Sequence, residues 1–123
     1  MIGYTTLGTN DLERARAFYD AALAPLGGRR TLNYERSTYY GSPARGAMLG
    51  VTLPFDGEAA SIGNGVMVAL LATSRAEVDG VHAAALAAGG TCEGPPGQRM
   101  DNFYGAYVRD LDGNKLCAFY QGG

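Results

Sequence analysis

The chain has 123 residues, of which 46% are hydrophobic, and its formal net charge is −2. This length suits one compact domain with a hydrophobic core, and a slightly acidic chain with scattered basic residues has nothing that attracts nucleic acid or an anionic membrane. No apolar run approaches the roughly 18 residues of a membrane span, so we expect a cytoplasmic protein. Its two cysteines, Cys92 and Cys117, are too few for a disulfide framework and are expected to be reduced.

The first part of the chain predicts one strand-helix-strand-strand-strand unit. Residues 1–9 are rich in Ile, Tyr, Thr and Leu, which favour a strand. Asn10 and Glu13 have the spacing of a capping box, and apolar residues then recur at helical intervals up to Gly27, which can provide a left-handed cap. Three short strands follow, at residues 29–34, 37–41 and 47–53, with turns at 41–43 and 54–57.

The second part repeats this order after a linker of small residues at 56–65. Residues 66–72 form an apolar run that is typical of a buried strand, and Ser74 and Glu77 form a second capping box at the start of a helix. A short strand at 91–93 leads into a Gly-Pro-Pro-Gly loop at 94–97. The Asp-Gly pair of the last turn lies between two apolar runs, which predicts a hairpin of strands 103–109 and 115–120.

The repeat predicts the architecture, because each copy must bury an apolar face and the other copy is its obvious partner. We therefore expect one α+β domain over residues 1–123. Its first module covers about 1–56 and its second about 64–123. Two modules that face each other would leave a cleft, and the cleft is the expected functional site.

Two motifs carry a resemblance to a known family. The segment 10–15, with Phe18 and Tyr19, resembles the first-helix signature of the glyoxalase, bleomycin-resistance and extradiol-dioxygenase superfamily, also called the vicinal oxygen chelate superfamily. The segment 109–115 resembles its terminal Asp-Pro-Asp-Gly-Asn hairpin, with Leu111 where proline is usual. The resemblance covers essentially the whole chain. It implies two βαβββ modules whose curved sheets form an open barrel around a central cleft, and it implies a homodimer, but it does not fix a reaction.

The resemblance also implies four positions for the ligands of a divalent metal. Carried over to this chain, they fall at Tyr4, Met67, Cys117 and either Leu49 or Gly50. None of these residues is a histidine or a carboxylate, which a divalent ion needs in sufficient number. We therefore predict no metal cofactor, with Tyr4 and Met67 packed into an apolar cleft and Cys117 acting as a small buried hydrophobic residue.

Aromatic residues are concentrated in the strands and loops expected to edge the cleft, and Tyr104 and Phe119 are among them. Strand alternation puts Phe119 on the same face as Cys117. An apolar pocket with phenol hydroxyls suits a small organic ligand, whereas core packing and a dimer interface are the alternative explanation for the same residues. Arg99 would lie in a loop over the cleft and could meet an anionic group.

The function predicted from these residues is binding of a small organic molecule in an aromatic-lined cleft without the usual divalent metal. The alternative is a glyoxalase-related lyase, isomerase or dioxygenase with an unorthodox or metal-free site. The single histidine, His82, lies in a helix remote from the cleft, so a histidine-based acid-base pair is absent. Cys117, with Lys115 on the same strand face, is a further candidate for a nucleophile.

Overall fold

Each half of the chain folds as a strand, a helix and three more strands in the computed structural model, which describes residues 1–43 and 46–122. The first module contains β1 (Tyr4–Gly8), α1 (Leu12–Ala22), a 3₁₀ turn (Ala24–Leu26), β2 (Arg29–Asn33), β3 (Ser37–Gly41) and β4 (Met48–Thr52). The second contains β5 (Val68–Leu71), α2 (Arg75–Ala87), β6 (Thr91–Met100), β7 (Phe103–Arg109) and β8 (Lys115–Tyr120). The α+β class and the internal repeat are confirmed.

The two modules have the same strand order. Sheet 1 runs β1-β4-β3-β2 and sheet 2 runs β5-β8-β7-β6. In each sheet the first strand lies at an edge, parallel to the last strand of its module, while the other neighbours are antiparallel. Neither sheet is closed, and the described strands of sheet 1 do not pair with those of sheet 2. No helix among the described residues is long and apolar enough to cross a membrane.

The N-cap of the first helix lies one residue later than the predicted Asn10. The N-cap is Asp11, whose side chain accepts from the backbone N–H of Arg14 at 3.1 Å. Asn10 is engaged elsewhere: its side-chain oxygen accepts from the backbone of Ala60 at 2.7 Å and its backbone N–H donates to Asp112 at 3.0 Å. The Asn10 prediction was therefore wrong, because that side chain joins the linker to the start of α1 and its backbone reaches the last hairpin.

The second capping box is half confirmed. The Ser74 side chain accepts from the backbone N–H of Glu77 at 3.2 Å, as predicted. The Glu77 carboxylate returns to the backbone N–H of Thr73 at 2.8 Å, one residue before the cap. Gly27 has a φ of 74°, so the predicted left-handed conformation is confirmed, here at the end of the 3₁₀ turn.

The Gly-Pro-Pro-Gly segment was predicted to be a loop, and this was wrong. It is part of β6, which continues to Met100 and pairs with β7 through three register shifts. The shifts explain how two prolines fit in a strand: β6 is the edge of sheet 2, where a missing N–H costs no ladder bond on the open side. Arg99 is consequently held on a strand instead of a loop.

One core connects the modules. It combines residues of α1 and α2 with residues from both sheets: Leu7, Phe18, Tyr19, Tyr40, Leu49, Val51, Ala85, Val108 and Leu116. A second, smaller cluster lies between α2 and sheet 2 and consists of Ala72, Val78, Val81, Ala106 and Ala118. Both sheets therefore turn the side that packs on the helices toward the shared interior.

A buried hydrogen-bond network ties the last hairpin to α1. The hydroxyl of Tyr19 donates to the Asp110 carboxylate, which also accepts from the backbone N–H groups of Asp112 and Asn114 at 2.9 and 2.8 Å. Burial and the neighbouring Asp110 charge raise the pKa of Tyr19 well above its usual value. The Asn114 amide reaches the carbonyl of Gly8 at 2.9 Å, which completes the connection between the modules.

Candidate functional site

The position of each side chain follows from strand alternation, because successive residues point to opposite sides of a sheet. We call the side that packs on the helices the helix side of each sheet and the opposite one its cleft side. Leu7, Tyr40 and Leu49 lie on the helix side of sheet 1, within the core. Tyr4, Tyr39 and Gly50 alternate with them and therefore lie on the cleft side.

On sheet 1 the cleft side carries a group of tyrosines. The Tyr39 ring is met edge-on by Tyr4 at a centroid distance of 5.2 Å and by Tyr34 at 6.2 Å. The Tyr39 ring also lies across Gly50 of the neighbouring strand, where a Cβ atom would be 2.6 Å from the ring. Tyr4 and Tyr34 remain more than half exposed, at 58% and 54%, so this aromatic surface is open in a single chain.

On sheet 2 the corresponding side carries stacked phenylalanines. The rings of Phe103 and Phe119 are 5.3 Å apart with an interplanar angle of 6°. Gly105 pairs directly with Phe119 across β7 and β8, and a Cβ atom there would be 2.8 Å from the Phe103 ring. Each cleft side thus has a glycine over which an aromatic ring can lie.

A charged group lies next to the phenylalanine stack. Tyr107 pairs with Cys117 across β7 and β8. The Tyr107 ring has two cations within cation–π range, with Cζ of Arg99 5.6 Å and Nζ of Lys115 5.5 Å from its centroid. The cleft side of sheet 2 therefore combines aromatic surface with positive charge.

The thiol at this place is protonated at neutral pH. Cys117 is 1% exposed, and burial raises its pKa although the Tyr107 hydroxyl and the charges of Lys115 and Arg99 oppose the shift. Burial and the neighbouring Cys117 also raise the pKa of Tyr107, with Arg99 acting in the opposite direction. A buried neutral thiol is a poor nucleophile, so these observations weigh against that role for Cys117.

Tyr4, Cys117, Phe119 and Arg99 are on the cleft sides of the two sheets. Arg99 is on a strand and not in the predicted loop, and Tyr4 is exposed instead of packed into an apolar cleft. Met67 directly precedes β5 and is 43% exposed, so it lies at an edge of sheet 2.

Tyr104 is the exception, because it lies on the helix side of sheet 2. Its hydroxyl donates to Asp79 of α2 at 2.7 Å, and Arg75 of α2 lies 5.0 Å from its ring centroid. The hydrogen bond to Asp79 raises the pKa of Tyr104. The adjacent Phe103 occupies the cleft side instead.

Tyr107 lies on the cleft side of sheet 2 but is not among the predicted site residues. Counting outward from the Asp-Gly turn pairs Arg109 with Lys115, and therefore Tyr107 with Cys117. This count was available from the sequence, and it would have chosen Tyr107 over Tyr104 as the cleft partner of Cys117.

The histidine and the second thiol lie away from the cleft sides. His82 is on α2, and its Nε2 atom is 3.2 Å from Sγ of Cys92, which is exposed on the edge strand β6. Cys92 pairs with Val108, whose side chain is in the core, so Cys92 belongs to the helix side. Both cysteines are free.

The donor set does not fit a divalent metal. Tyr4 is a neutral phenol, Met67 offers a thioether, Cys117 is a buried protonated thiol, and Leu49 and Gly50 offer no side-chain donor. Nowhere in residues 1–43 and 46–122 do three His, Cys, Asp or Glu side chains come together in a group that could hold an ion.

A groove of about 480 Å³ lies between the modules. It is lined on one side by residues of the first module, including Leu23, Tyr40 and Leu49, and on the other by Leu70 and Glu77. Leu23, Tyr40 and Leu49 are core residues, and the Tyr40 hydroxyl already donates to Asp20 at 2.9 Å. None of the residues predicted from the family pattern to line the cleft borders this groove, except Leu49, which was one of two alternatives.

The fold and these positions define a protein of the paired βαβββ class, and comparison with known proteins gives the family. The model of the Glyoxalase/Bleomycin resistance protein/Dioxygenase superfamily matches residues 1–118. The chain belongs to this superfamily. A search of curated proteins finds no match.

Solved structures agree with this assignment. A glyoxalase/bleomycin resistance protein from Albidiferax ferrireducens is 42% identical, with a TM-score of 0.90 over 99% of both chains. A glyoxalase-related enzyme from Fulvimarina pelagi is 23% identical, with a TM-score of 0.78 over 98% of this chain and 88% of its own. Lactoylglutathione lyase from Agrobacterium tumefaciens is 22% identical, with a TM-score of 0.69 over 97% and 92%. The last two show the fold alone.

Proposed function

We propose that this protein forms a homodimer that binds a small organic molecule in an aromatic-lined cleft, without the divalent metal that is usual in its superfamily. The observation that carries the proposal is the content of the cleft sides. At the positions where the family pattern has metal ligands, this chain has a phenol, a thioether and a buried thiol, and aromatic rings lie on the cleft sides of both sheets. Apolar walls with a few polar groups are the usual composition of a small-molecule site.

The competing function is that of a glyoxalase-related lyase, isomerase or dioxygenase. Acid-base catalysis would need a group that titrates near neutral pH. On the cleft side of sheet 2 the pKa values of Tyr107 and Cys117 are both raised, so both groups stay protonated there. No observation on the cleft sides therefore favours turnover over binding.

A homodimer is supported by the surface of the single chain. The helix sides of both sheets share one core, so the cleft sides point away from it, and strongly exposed apolar side chains remain on and around them: Tyr4, Tyr34, Phe55, Val66, Met67 and Leu71. A folded monomer of 12.8 kDa has an accessible surface of about 6,300 Å². This chain has 6901 Å². A second copy would cover the excess and bring a cleft side of one chain opposite that of another.

The ligand and metal parts of the proposal are tested together. We expect the purified protein, exposed to zinc, nickel, manganese and iron and then desalted, to retain well below one equivalent of metal by mass spectrometry. A thermal-shift screen of aromatic compounds should give saturable stabilisation, and Phe119→Ala should abolish it. Tyr104→Phe, a change on the helix side of the same sheet, is the matched control and should leave it intact.

Two results would overturn the proposal. Near-stoichiometric retention of one metal would show that the ligand positions were assigned wrongly. Turnover of the methylglyoxal–glutathione hemithioacetal would establish the enzyme instead of the binding protein.

The dimer is tested by light scattering. We expect twice the chain mass of 12.8 kDa. Leu71→Asp places a charge on a side chain that is 67% exposed on β5 and should give monomers. Leu86→Asp, the same change on the outer surface of α2, should leave the dimer intact. A monomeric wild type would remove the assembly part of the proposal.

A further inference from the structure

The Tyr107 ring on the cleft side of sheet 2 lies beside two cations whose charge the described residues do not neutralise. Among residues 1–43 and 46–122, the basic residues that form ion pairs are Arg14, Arg16, Arg30 and Arg109. Arg109, the other cation on this side, is bound by Glu93 at 2.8 Å. Arg99 instead donates to the carbonyl of Pro95, and Lys115 makes its contact with the ring.

The position of Arg99 is built into the irregular strand β6. A Cβ atom on Gly97 would lie 2.8 Å from Nη1 of Arg99. A Cβ atom on Gly94 would lie 3.0 Å from Cδ2 of Tyr107 and 3.2 Å from Nη2 of Arg99. The glycines at both flanking positions therefore leave room for the guanidinium beside the Tyr107 ring, and a larger residue at either position would make it move. The glycines of the Gly-Pro-Pro-Gly segment therefore make room for the Arg99 side chain, in addition to their place in the pairing of β6 with β7.

The apolar part of the surface lies at a definite distance from the cations. Phe119 follows Cys117 by two residues on β8, and Gly105 precedes Tyr107 by two on β7. Two residues of a strand span about 7 Å, which is close to the length of a benzene ring with one substituent. A ring placed against Phe119 would therefore direct its substituent toward Tyr107, Arg99 and Lys115.

A carboxylate is the substituent that this arrangement favours. A guanidinium forms strong, charge-assisted hydrogen bonds with carboxylates, often through two parallel N–H groups. The chain as a whole has a net charge of −2, so the attraction comes from this local pair of cations.

We propose that the cleft takes an aromatic carboxylate, with its ring against Phe119 and its carboxylate on Arg99, assisted by Lys115. This inference rests on the proposed function and names the ligand class of the same site. The alternative explanation for the two cations is that they only cover the Tyr107 ring and remain solvated.

The test compares three probes of the same size and different charge: 4-fluorobenzoate, 4-fluorobenzamide and 4-fluorobenzylamine. Fluorine NMR titration of the wild-type protein should show that benzoate binds at least about ten times more tightly than either of the others. Its affinity should fall as salt is added. Backbone amide shifts should concentrate in residues 103–107 and 115–119.

Arg99→Gln should lower the affinity for 4-fluorobenzoate about tenfold and leave that for the amide unchanged. Arg75→Gln is the matched control, because Arg75 also lies over a tyrosine ring but on the helix side of the same sheet. It should change neither affinity.

The failures are distinguishable. If the amide binds as tightly as the benzoate, or if Arg99→Gln lowers both affinities equally, the anion preference is wrong while aromatic binding in the cleft stands. If no probe of any charge binds, the proposed function fails together with its ligand class.

Discussion

The two modules repeat one topology and differ in what they place on their cleft sides. Sheet 1 carries phenols that contact one another around Tyr39. Sheet 2 carries a phenylalanine stack, a buried thiol and a tyrosine beside two cations. Because the strand order is the same in both, the difference lies in the side chains that a shared topology presents. Under the proposed function, sheet 2 is the half in which charge selects the ligand.

The helix sides also differ. In the first module hydrogen bonds add to the apolar core: Arg16 is buried and its Nε donates to Thr38 at 2.6 Å, and Tyr40 donates to Asp20 at 2.9 Å. In the second module α2 packs on sheet 2 through small apolar residues such as Val78 and Ala106. Buried hydrogen bonds therefore contribute more to the position of α1 than to that of α2.

The largest effect is expected where the two modules are tied together. Asp110→Ala leaves the Tyr19 hydroxyl and the backbone N–H groups of Asp112 and Asn114 without their acceptor, so we expect the free energy of unfolding to fall by about 3 kcal/mol. Urea unfolding at fixed protein concentration measures it. Tyr19→Phe removes one donor only and should cost about 1 kcal/mol. Equal costs for the two variants would show that the turn amides contribute nothing.

Alanine substitutions of the glycines under the aromatic rings, Gly50 and Gly105, test how tightly each cleft side is packed. A methyl group on Gly50 would lie 2.6 Å from the Tyr39 ring and 3.2 Å from the carbonyl of Thr5. On Gly105 it would lie 2.8 Å from the outer edge of the Phe103 ring and 3.6 Å from the nearest carbonyl. Gly50→Ala should therefore cost about 2 kcal/mol and Gly105→Ala less, since only the Phe103 ring must move. Thermal unfolding of the two variants measures the loss of stability. A larger loss for Gly105→Ala than for Gly50→Ala would contradict the expected order.

Much of the fold could be predicted because its signals are local. The capping residue Ser74, the left-handed Gly27 and the Asp-Gly turn each determine a short stretch of chain, and the repeat determines their arrangement. The prediction failed where a distant contact decides the outcome. Asn10 does not cap α1, because it bonds to Ala60 and Asp112. The glycines and prolines of β6 pair with β7 only through register shifts that composition does not reveal.

The candidate site could be predicted in part, for the same reason. Phe119 follows from alternation once Cys117 is placed, and counting back from the Asp-Gly turn places Tyr104 on the opposite side. The contact of Arg99 with Tyr107 depends on the path of an irregular strand, which alternation along regular strands does not describe. Residues on regular strands were therefore easier to assign than the residue on the bulged one.

A smaller effect is expected in the pH dependence of stability, where the helix sides of the two modules should differ. Burial opposes ionisation of Asp20, but hydrogen bonds from Arg30 and Tyr40 outweigh it and lower its pKa from 3.8. A lowered carboxyl pKa stabilises the folded state above the unfolded value, and this contribution is lost as pH falls through the folded pKa. Asp20→Asn should cost about 1 kcal/mol at pH 7, since the pair is partly exposed, and the difference should shrink as the pH falls below the ordinary carboxyl pKa of about 3.9.

Urea titrations of both proteins from pH 7 to pH 3 measure this. Asp79→Asn is the matched change in the second module, where the carboxylate meets the exposed hydroxyl of Tyr104. It should alter stability little at any pH. A pH-independent cost for Asp20→Asn would show that packing, and not the carboxylate charge, holds β2 and β3 on α1.

The last prediction concerns the reactivity of the two thiols, which lie on opposite sides of sheet 2. Cys92 is exposed on the helix side and Cys117 is buried on the cleft side with a raised pKa. We expect iodoacetamide at neutral pH to label Cys92 in the native protein and to label Cys117 only after denaturation, because the thiolate is the reacting species. Peptide mass spectrometry measures the labelling, with Cys92→Ser as the control that isolates Cys117. Native labelling of Cys117 would show that its side chain becomes accessible in solution, which contradicts its burial on the cleft side of sheet 2.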